Sequence, residues 1–179
     1  MPASWRHGGF TVLELLVALA IGAALLLLGI PGYGAWIAEM ELRDRVAALV
    51  EAMAHARTEA IKRGARVNLC PSVDAAHCTG DGRWEAGWIM FADTNRDGER
   101  DDDEAIVRVQ DRARPGITVR GNRPVADYVS YTGMGQTRLV NGALQMGTLT
   151  VCRRGRNGIE VVLASGGRVR VDRGRTPCP

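Results

Sequence analysis

The chain opens with a long apolar segment. No charged side chain occurs from Leu15 to Ala38, and as a helix these residues would extend about 36 Å at ~1.5 Å per residue. Because the hydrocarbon core of a bilayer is about 30 Å thick, the segment is long enough to cross a membrane. Arg6 and His7 precede it, which predicts that the N-terminus lies on the cytoplasmic side.

After Trp36 the pattern becomes amphipathic. Apolar residues recur at steps of three and four, which is the spacing of one helix face. They are Leu42, Val46, Leu49, Val50, Met53, Ala56, Ala60 and Ile61. Gly64 is the residue type expected just beyond a helix end. The pattern therefore predicts one continuous helix over about residues 10–63.

The rest of the chain is predicted to form short strands, because apolar or alternating segments are separated by turn pairs such as Asp97-Gly98 and Asn141-Gly142. The predicted strands are 65–70, 87–91, 105–109, 117–120, 128–132, 149–153, 158–163 and 168–171. The fold class is therefore α+β, with a long helix packed on antiparallel β-sheets. Residues 38–179 are predicted to form the globular head.

Composition and charge narrow the function classes. Apolar residues make up 46% of the chain, which argues against a largely disordered protein. Residues 1–104 carry 10 basic and 16 acidic side chains, whereas residues 105–179 carry 13 arginines and 4 acidic side chains. A basic C-terminal half suggests a polyanionic partner. No His has a nucleophile at a recognisable catalytic spacing, so we do not expect an enzyme.

Residues 8–16 read G-G-F-T-V-L-E-L-L, so Glu14 lies four residues into an apolar stretch that starts at Phe10. Together with Pro31, this stretch resembles the class III signal of type IV prepilins and secretion pseudopilins. The resemblance implies that a prepilin peptidase removes residues 1–9 by cutting between Gly9 and Phe10, and that Phe10 is then N-methylated. It also implies that residues 10–37 form a helix in the inner membrane or in the core of a filament.

The residue types at two of these positions have a physical reason. A free amine on Phe10 is a buried cation once subunits assemble, and Glu14 of a neighbouring helix can neutralise it. Pro31 removes one backbone donor and bends or loosens the helix. Glu14 and Pro31 are therefore expected to act in assembly with other pilins or pseudopilins.

The body of the chain carries further motifs. They are A-R-T-E-A-I-K-R at 56–63, V-N-L-C at 67–70, Trp84, G-W-I-M-F at 87–91 and G-R-V-R at 167–170. This set resembles the FimT/GspH family of minor pilins and pseudopilins. The resemblance implies a type IV pilin-like fold, a periplasmic head, and a minor subunit of a type IV pilus or a type II secretion machine in a Gram-negative bacterium.

The arginines near the C-terminus form a candidate DNA-binding site. In some FimT-like pilins a G-R-x-R segment contributes to DNA binding in natural transformation, and the resemblance implies this role here. Alternation places Arg168 and Arg170 on one face of a strand, with Val169 and Val171 facing the core. Guanidinium groups suit phosphate contacts. The candidate residues are Arg153, Arg154, Arg168, Arg170, Arg173 and Arg175. The alternative is an edge strand whose arginines prevent unwanted strand pairing.

Four cysteines allow three disulfide connectivities. We favour Cys70 with Cys78, which closes a short loop, and Cys152 with Cys178, which pins the C-terminal tail. A zinc site is the alternative, but the spacings fit no common finger pattern. Disulfides agree with export to the periplasm.

Residues 93–104 read D-T-N-R-D-G-E-R-D-D-D-E and match the calcium-loop pattern D-x-[DN]-x-[DN]-G-x5-E. The candidate Ca²⁺ ligands are Asp93, Asn95, Asp97, Glu99, Asp101 and Glu104. However, the flanking segments are predicted strands rather than the helices of an EF-hand. A simple hairpin connection is therefore the alternative. The sequence predicts no other cofactor.

Overall fold

The structure is a computed structural model that describes residues 11–178, without the side chains of 27–32 and 175–176. The chain divides into two compact units, one up to Met40 and the other from Glu41 onward. The predicted cleavage and methylation positions, Gly9 and Phe10, lie outside the described residues. The backbone of Pro31 lies within the long helix.

Helix α1 runs over Val12–Arg63 and confirms the long N-terminal helix. Near its start the Glu14 N–H donates to Thr11 Oγ1 at 3.2 Å. Its end also matches the expectation, since Gly64 adopts a φ of +60° and donates its N–H to the Ile61 carbonyl at 3.2 Å. Over the part of the chain that the structure describes, no helical stretch combines the length and apolarity required to cross a membrane.

The C-terminal part of α1 presents its apolar face to the core. Leu42, Leu49, Met53 and Ala60 are at most 1% exposed. Ile61 was predicted to share this face, but its side chain is 51% exposed. The reason is geometric, because Ile61 follows the buried Ala60 by one residue and therefore points about 100° away around the helix.

Among the described residues, eight strands follow the helix, and all eight were predicted. Each lies within two residues of its predicted bounds, except that the last continues further. They are β1 (Arg66–Pro71), β2 (Trp88–Asp93), β3 (Ile106–Gln110), β4 (Ile117–Gly121), β5 (Val129–Tyr131), β6 (Gly147–Arg153), β7 (Asn157–Leu163) and β8 (Val169–Pro177). They form two antiparallel four-stranded sheets with the orders β3-β2-β1-β5 and β4-β6-β7-β8.

One continuous apolar core joins α1 to both sheets. It includes Met53 from the helix, Leu69 from β1 and Val151 from β6, all of them fully buried. A smaller cluster of Cys70, Ile89 and Phe91 is covered in part by Tyr128. Burial of this apolar surface is the main term that stabilises the arrangement.

The outer edge of β4 is closed by an acidic side chain. The Val119 N–H donates to Glu85 Oε2 at 3.1 Å, and Arg120 forms an ion pair with the same carboxylate. Glu85 lies in a short 3-10 helix over Trp84–Ala86. The opposite edge of this sheet is β8.

Candidate nucleic-acid interface and neighbouring sites

Strand β8 contains Arg170, Arg173 and Arg175 and forms one edge of its sheet. Its register with β7 pairs Val162 with Arg170, Val161 with Val171, and Ile159 with Arg173. Residues that lie directly opposite each other in an antiparallel pair share a sheet face. The register therefore decides which arginines can act together.

Arg170 and Arg173 lie on opposite faces of the sheet. Arg173 pairs with Ile159, which packs against the core, whereas Arg170 pairs with Val162 on the other face. Of the candidate arginines, Arg173 therefore does not share a face with Arg170, because an odd separation reverses the face of the strand. Arg175 lies in β8, but its side chain is outside the described set.

Arg168 immediately precedes β8 and is exposed, as is Arg170. A tight turn fixes its backbone, since the Ala164 N–H donates to the Arg168 carbonyl at 2.9 Å and the Gly167 N–H donates to the Ala164 carbonyl at 2.8 Å. Gly167 has a φ of +78°, and a Cβ there would lie 2.1 Å from the Gly135 carbonyl oxygen. Only glycine fits this turn.

Acidic groups lie next to the exposed arginines. Arg170 Nε donates to Asp172 Oδ2 at 2.9 Å, although the Arg170 side chain stays 71% exposed. Asp172 in turn lies opposite Glu160. The negative charge of these two acids reduces the net attraction of Arg168 and Arg170 for phosphate.

The prediction that Val171 faces the core is only half right. The side chain is on the core side, opposite the fully buried Val161, yet it is 48% exposed. Val169 packs against the core as predicted. Because β8 is an edge strand, its inner face lacks a neighbour on one side.

The candidate arginines at the end of β6, Arg153 and Arg154, differ in their surroundings. Arg153 lies opposite Ile117 on the inner face, and its guanidinium pairs with Glu41 of α1. Glu41 is also 3.6 Å from Arg114. Arg154 is exposed in the turn after β6. Arg153 is therefore part of an internal ion pair, whereas Arg154 faces solvent.

Both predicted disulfides are present. Cys70 and Cys78 have Cα atoms 5.5 Å apart, and those of Cys152 and Cys178 are 5.4 Å apart. The second bond ties the residue after β8 to β6, and the Cys178 N–H donates to the Arg156 carbonyl at 2.9 Å. The end of the arginine-bearing strand is thus anchored covalently.

Hydrogen bonds within the protein organise the 93–104 loop. Glu104, 3% exposed, accepts the N–H groups of Thr94 and Asp101 at 2.5 and 3.3 Å. Asp93, 1% exposed, accepts the Asn68 Nδ2–H and the Arg96 N–H, each at 2.6 Å.

Three of the candidate calcium ligands lie close together, since Asn95 Nδ2 donates to the carboxylates of Asp97 and Asp101 at 2.8 Å each. Within residues 11–178, no group of three or more His, Cys, Asp or Glu side chains is placed to hold a metal ion. The buried carboxylates of Asp93 and Glu104 accept hydrogen bonds that hold together the loop between β2 and β3. Burial raises the pKa of Asp93, and the hydrogen bonds from Asn68 and Arg96 offset part of this effect. The calcium role stays a prediction.

One charged residue in the core, Arg45, was not predicted from the sequence. Arg45 is 6% exposed, and it lies three residues after Leu42 and four before Leu49, on the apolar face of α1. The same three- and four-residue spacing that predicted the helix could have identified it.

The chain matches two family models. The family model of the type II transport protein GspH matches residues 45–172, and the prokaryotic N-terminal methylation motif matches residues 6–30. Comparison with the curated proteins gives no match.

Several solved structures are similar to this chain. The type IV minor pilin FimU of Pseudomonas aeruginosa matches in two crystal forms. One has 18% identity, a TM-score of 0.57, and covers 76% of this chain and 92% of FimU. The other has 16% identity, a TM-score of 0.51, and covers 75% and 91%. The minor pseudopilin EpsH of the Vibrio cholerae type 2 secretion system has 14% identity, a TM-score of 0.49, and covers 74% and 97%.

Proposed function

The chain belongs to the GspH family of type II transport proteins, and from this premise we propose that it is a minor pilin whose arginine-bearing edge strand binds DNA during uptake. The proposed role is structural rather than catalytic. The observation that carries the DNA part is the exposed pair Arg168 and Arg170 on a strand whose turn and far end are both fixed.

Assembly would follow the path of prepilins. Residues 6–30 match the N-terminal methylation motif, which supports cleavage after Gly9 by a prepilin peptidase and methylation of Phe10. Glu14 would pair with the new amine of a neighbouring subunit, and Pro31 would loosen the helix where subunits pack. The N-terminal segment would hold the subunit in the inner membrane before assembly, with the head in the periplasm.

The chemistry of the edge suits a backbone-directed contact. Arg168 and Arg170 are exposed, lie two residues apart and therefore share a face. Phosphate contacts by arginine give affinity without base reading. Asp172 beside Arg170 would keep this affinity modest, which suits a protein that must release its DNA.

A second candidate is a minor pseudopilin of type II secretion, or a structural priming subunit, that does not bind DNA. The family match to a type II transport protein favours it. So does the internal use of Arg153, whose ion pair with Glu41 removes one candidate from the surface.

Salt-dependent DNA titration separates the two candidates. The full chain in detergent would be titrated with duplex DNA over a salt series, beside Arg168→Gln/Arg170→Gln. As the control, Arg112→Gln/Arg123→Gln removes the same charge from exposed positions outside β8. We expect affinity to fall with salt at a slope of about −0.9 per phosphate contact, and to fall most in the first variant. Equal losses in both variants, or no binding at low salt, would leave the structural role.

A further inference from the structure

In the described part of the chain the two sheets have four edge strands, and three of them are closed or charged. At β4 the Glu85 carboxylate accepts the Val119 N–H. At β5 the Ser130 carbonyl accepts the Arg138 N–H at 3.2 Å, and the Ser130 N–H donates to Gln145 Oε1 at 2.8 Å. Strand β8 carries arginines on both faces, and charged side chains on an edge oppose the pairing of further strands.

Strand β3 is the fourth edge, and its outer side is open. Over residues 11–178, the backbone of 106–110 pairs with β2 alone. Its one charged side chain, Arg108, is held by Glu51 of α1 at 2.7 Å. Ile106, Val107 and Val109 are β-branched residues, which favour strands. A row of unpaired N–H and C=O groups on such a strand is a template for another strand.

A cavity of about 210 Å³ lies at the end of β3. Val109 and Gln110 line it together with Trp88 and with Val73 and Ala75 of the loop that follows β1. Val73 and Val109 are 55% and 43% exposed, although valine is among the residues that are most often buried. The volume corresponds to about seven water molecules at ~30 Å³ each. The cavity is therefore large enough for one apolar side chain.

The register with β2 determines which side chain of an added strand would lie beside this cavity. Val109 lies opposite Ile89, and Arg108 lies opposite Met90 on the other face of the sheet. The register shifts only between Met90 and Phe91, so Arg108, Val109 and Gln110 pair regularly. Because opposite residues share a face, the residue of an added strand opposite Val109 would project beside Val109, at the rim of the cavity.

We propose that β3 is a docking edge, to which an extended segment of a neighbouring filament subunit adds as a fifth strand, with Val, Ile or Leu opposite Val109. Main-chain hydrogen bonds would supply the affinity, and the cavity would select the side chain. The occupant is an extended polypeptide because only a strand presents donors and acceptors at the spacing of the open edge. Its source in a neighbouring subunit rests on the proposed assembly. Since β5 closes the far side of this sheet, one strand can add and the pairing cannot propagate.

Hydrogen exchange distinguishes strand addition from other contacts. The isotope-labelled full chain in detergent micelles would be mixed with the unlabelled subunits of the filament, dissolved in the same detergent, and amide exchange over 106–110 would be followed by NMR. The amides that exchange fast in the chain alone are those that face away from β2. We expect these to slow about tenfold when the partner is at about ten times its Kd. The alternate amides, already bonded to β2, should not change. No slowing, or equal slowing of both sets, would overturn the proposal.

Matched lysine variants test whether the slowing depends on this edge. Val109→Lys places a charge beside the cavity and should abolish the slowing. Thr118→Lys makes the same kind of change at an exposed position of β4, whose edge is closed, and should keep it. Both positions are exposed, so we expect a folded head, which melting temperatures check. Slowing that persists in Val109→Lys, or that is lost in both variants, would contradict a docking edge at β3.

The source of the added strand is tested separately. Labelled and unlabelled copies of this chain alone should leave exchange in β3 unchanged. Alternate slowing in that mixture would make a second copy the occupant and would overturn the neighbouring-subunit part of the proposal. Co-purification of the chain with sheared filaments reports assembly by itself. A chain that co-purifies without a protected edge removes the docking edge and leaves the assembly role, whereas a protected edge without co-purification removes the assembly role alone.

Discussion

Arg153 and Glu41 are 112 residues apart in the chain, yet the guanidinium of one pairs with the carboxylate of the other. Their side chains are 26% and 17% exposed. The pair joins the inner face of β6 to α1, and Arg114 approaches the same carboxylate. An arginine that looked like a surface residue in the sequence thus acts within the head.

Replacement of Arg153 should therefore cost stability rather than DNA affinity. We expect Arg153→Gln to lower the free energy of unfolding by about 1–2 kcal/mol, because Glu41 loses its nearest charged donor. Arg154→Gln, at the exposed neighbouring position, should change it by less than about 0.5 kcal/mol. Urea unfolding of both variants checks this, and equal losses would contradict the internal role of Arg153.

A methyl group at Gly167 should disrupt the turn before β8. Gly167→Ala brings a Cβ within 2.1 Å of the Gly135 carbonyl oxygen at a φ of +78°, so we expect a loss of about 3 kcal/mol or more. Gly142→Ala is the matched control. It has a similar φ of +84° with nothing within 4 Å, and should lose only the backbone strain of about 1–2 kcal/mol. Thermal unfolding distinguishes the two effects.

Removal of the C-terminal disulfide should loosen β8 selectively. Cys152→Ser/Cys178→Ser opens a link between positions 26 residues apart, which is expected to cost about 3 kcal/mol. Amide hydrogen exchange should rise most over 169–177. Cys70→Ser/Cys78→Ser should leave exchange in β8 unchanged, and faster β8 exchange in that variant would mean that the anchoring effect is not local.

Asp93 should make stability fall as the pH rises. Burial raises its pKa above the ordinary value of 3.8, so the folded state holds this proton more tightly than the unfolded state does. The contribution of Asp93 to the free energy of unfolding is therefore largest below pH 3.8. It declines as the pH rises through the raised pKa that Asp93 has in the folded state.

The Asp93→Asn variant should lack this decline. Melting temperatures measured from pH 3.5 to 6 would show a shallower slope for Asp93→Asn than for the native chain. Asp103→Asn, at an exposed position of the same loop, should keep the native slope. An unchanged slope in Asp93→Asn would contradict the assignment.

Local pattern predicted most of the fold. All eight strands and the end of α1 could be placed because period-two and period-3.6 patterns, together with Gly64, are local signals. The disulfides could also be predicted, because a short loop favoured Cys70 with Cys78 and anchoring of the C-terminal tail favoured Cys152 with Cys178.

The arrangement of the candidate DNA-binding arginines was harder to predict, because it depends on how β8 pairs with its neighbouring strand. The register pairs Arg170 with Val162 and Arg173 with Ile159, which puts the two arginines on opposite faces. Their separation of three residues predicts this only if 170–173 is taken as one continuous strand. The exposure of Val171 depends on β8 being an edge. Sheet order is a long-range property that a single strand's sequence does not encode.

The hydrogen-bond partners of Arg45 also lie far from it in the sequence. Its carbonyl acceptors lie 39 and 66 residues away. An arginine on an apolar helix face therefore predicts a buried charge, but the sequence does not show which groups surround it.

The contact between Glu85 and the Val119 N–H has a consequence for solubility. An open edge strand is a template for aggregation, and heads held side by side at high local concentration would be especially prone to it. The Glu85 carboxylate covers part of one edge of the sheet, at β4. Arginines lie along the opposite edge, at β8. Subunits could then crowd together without their sheets fusing into a continuous, irreversible β-structure.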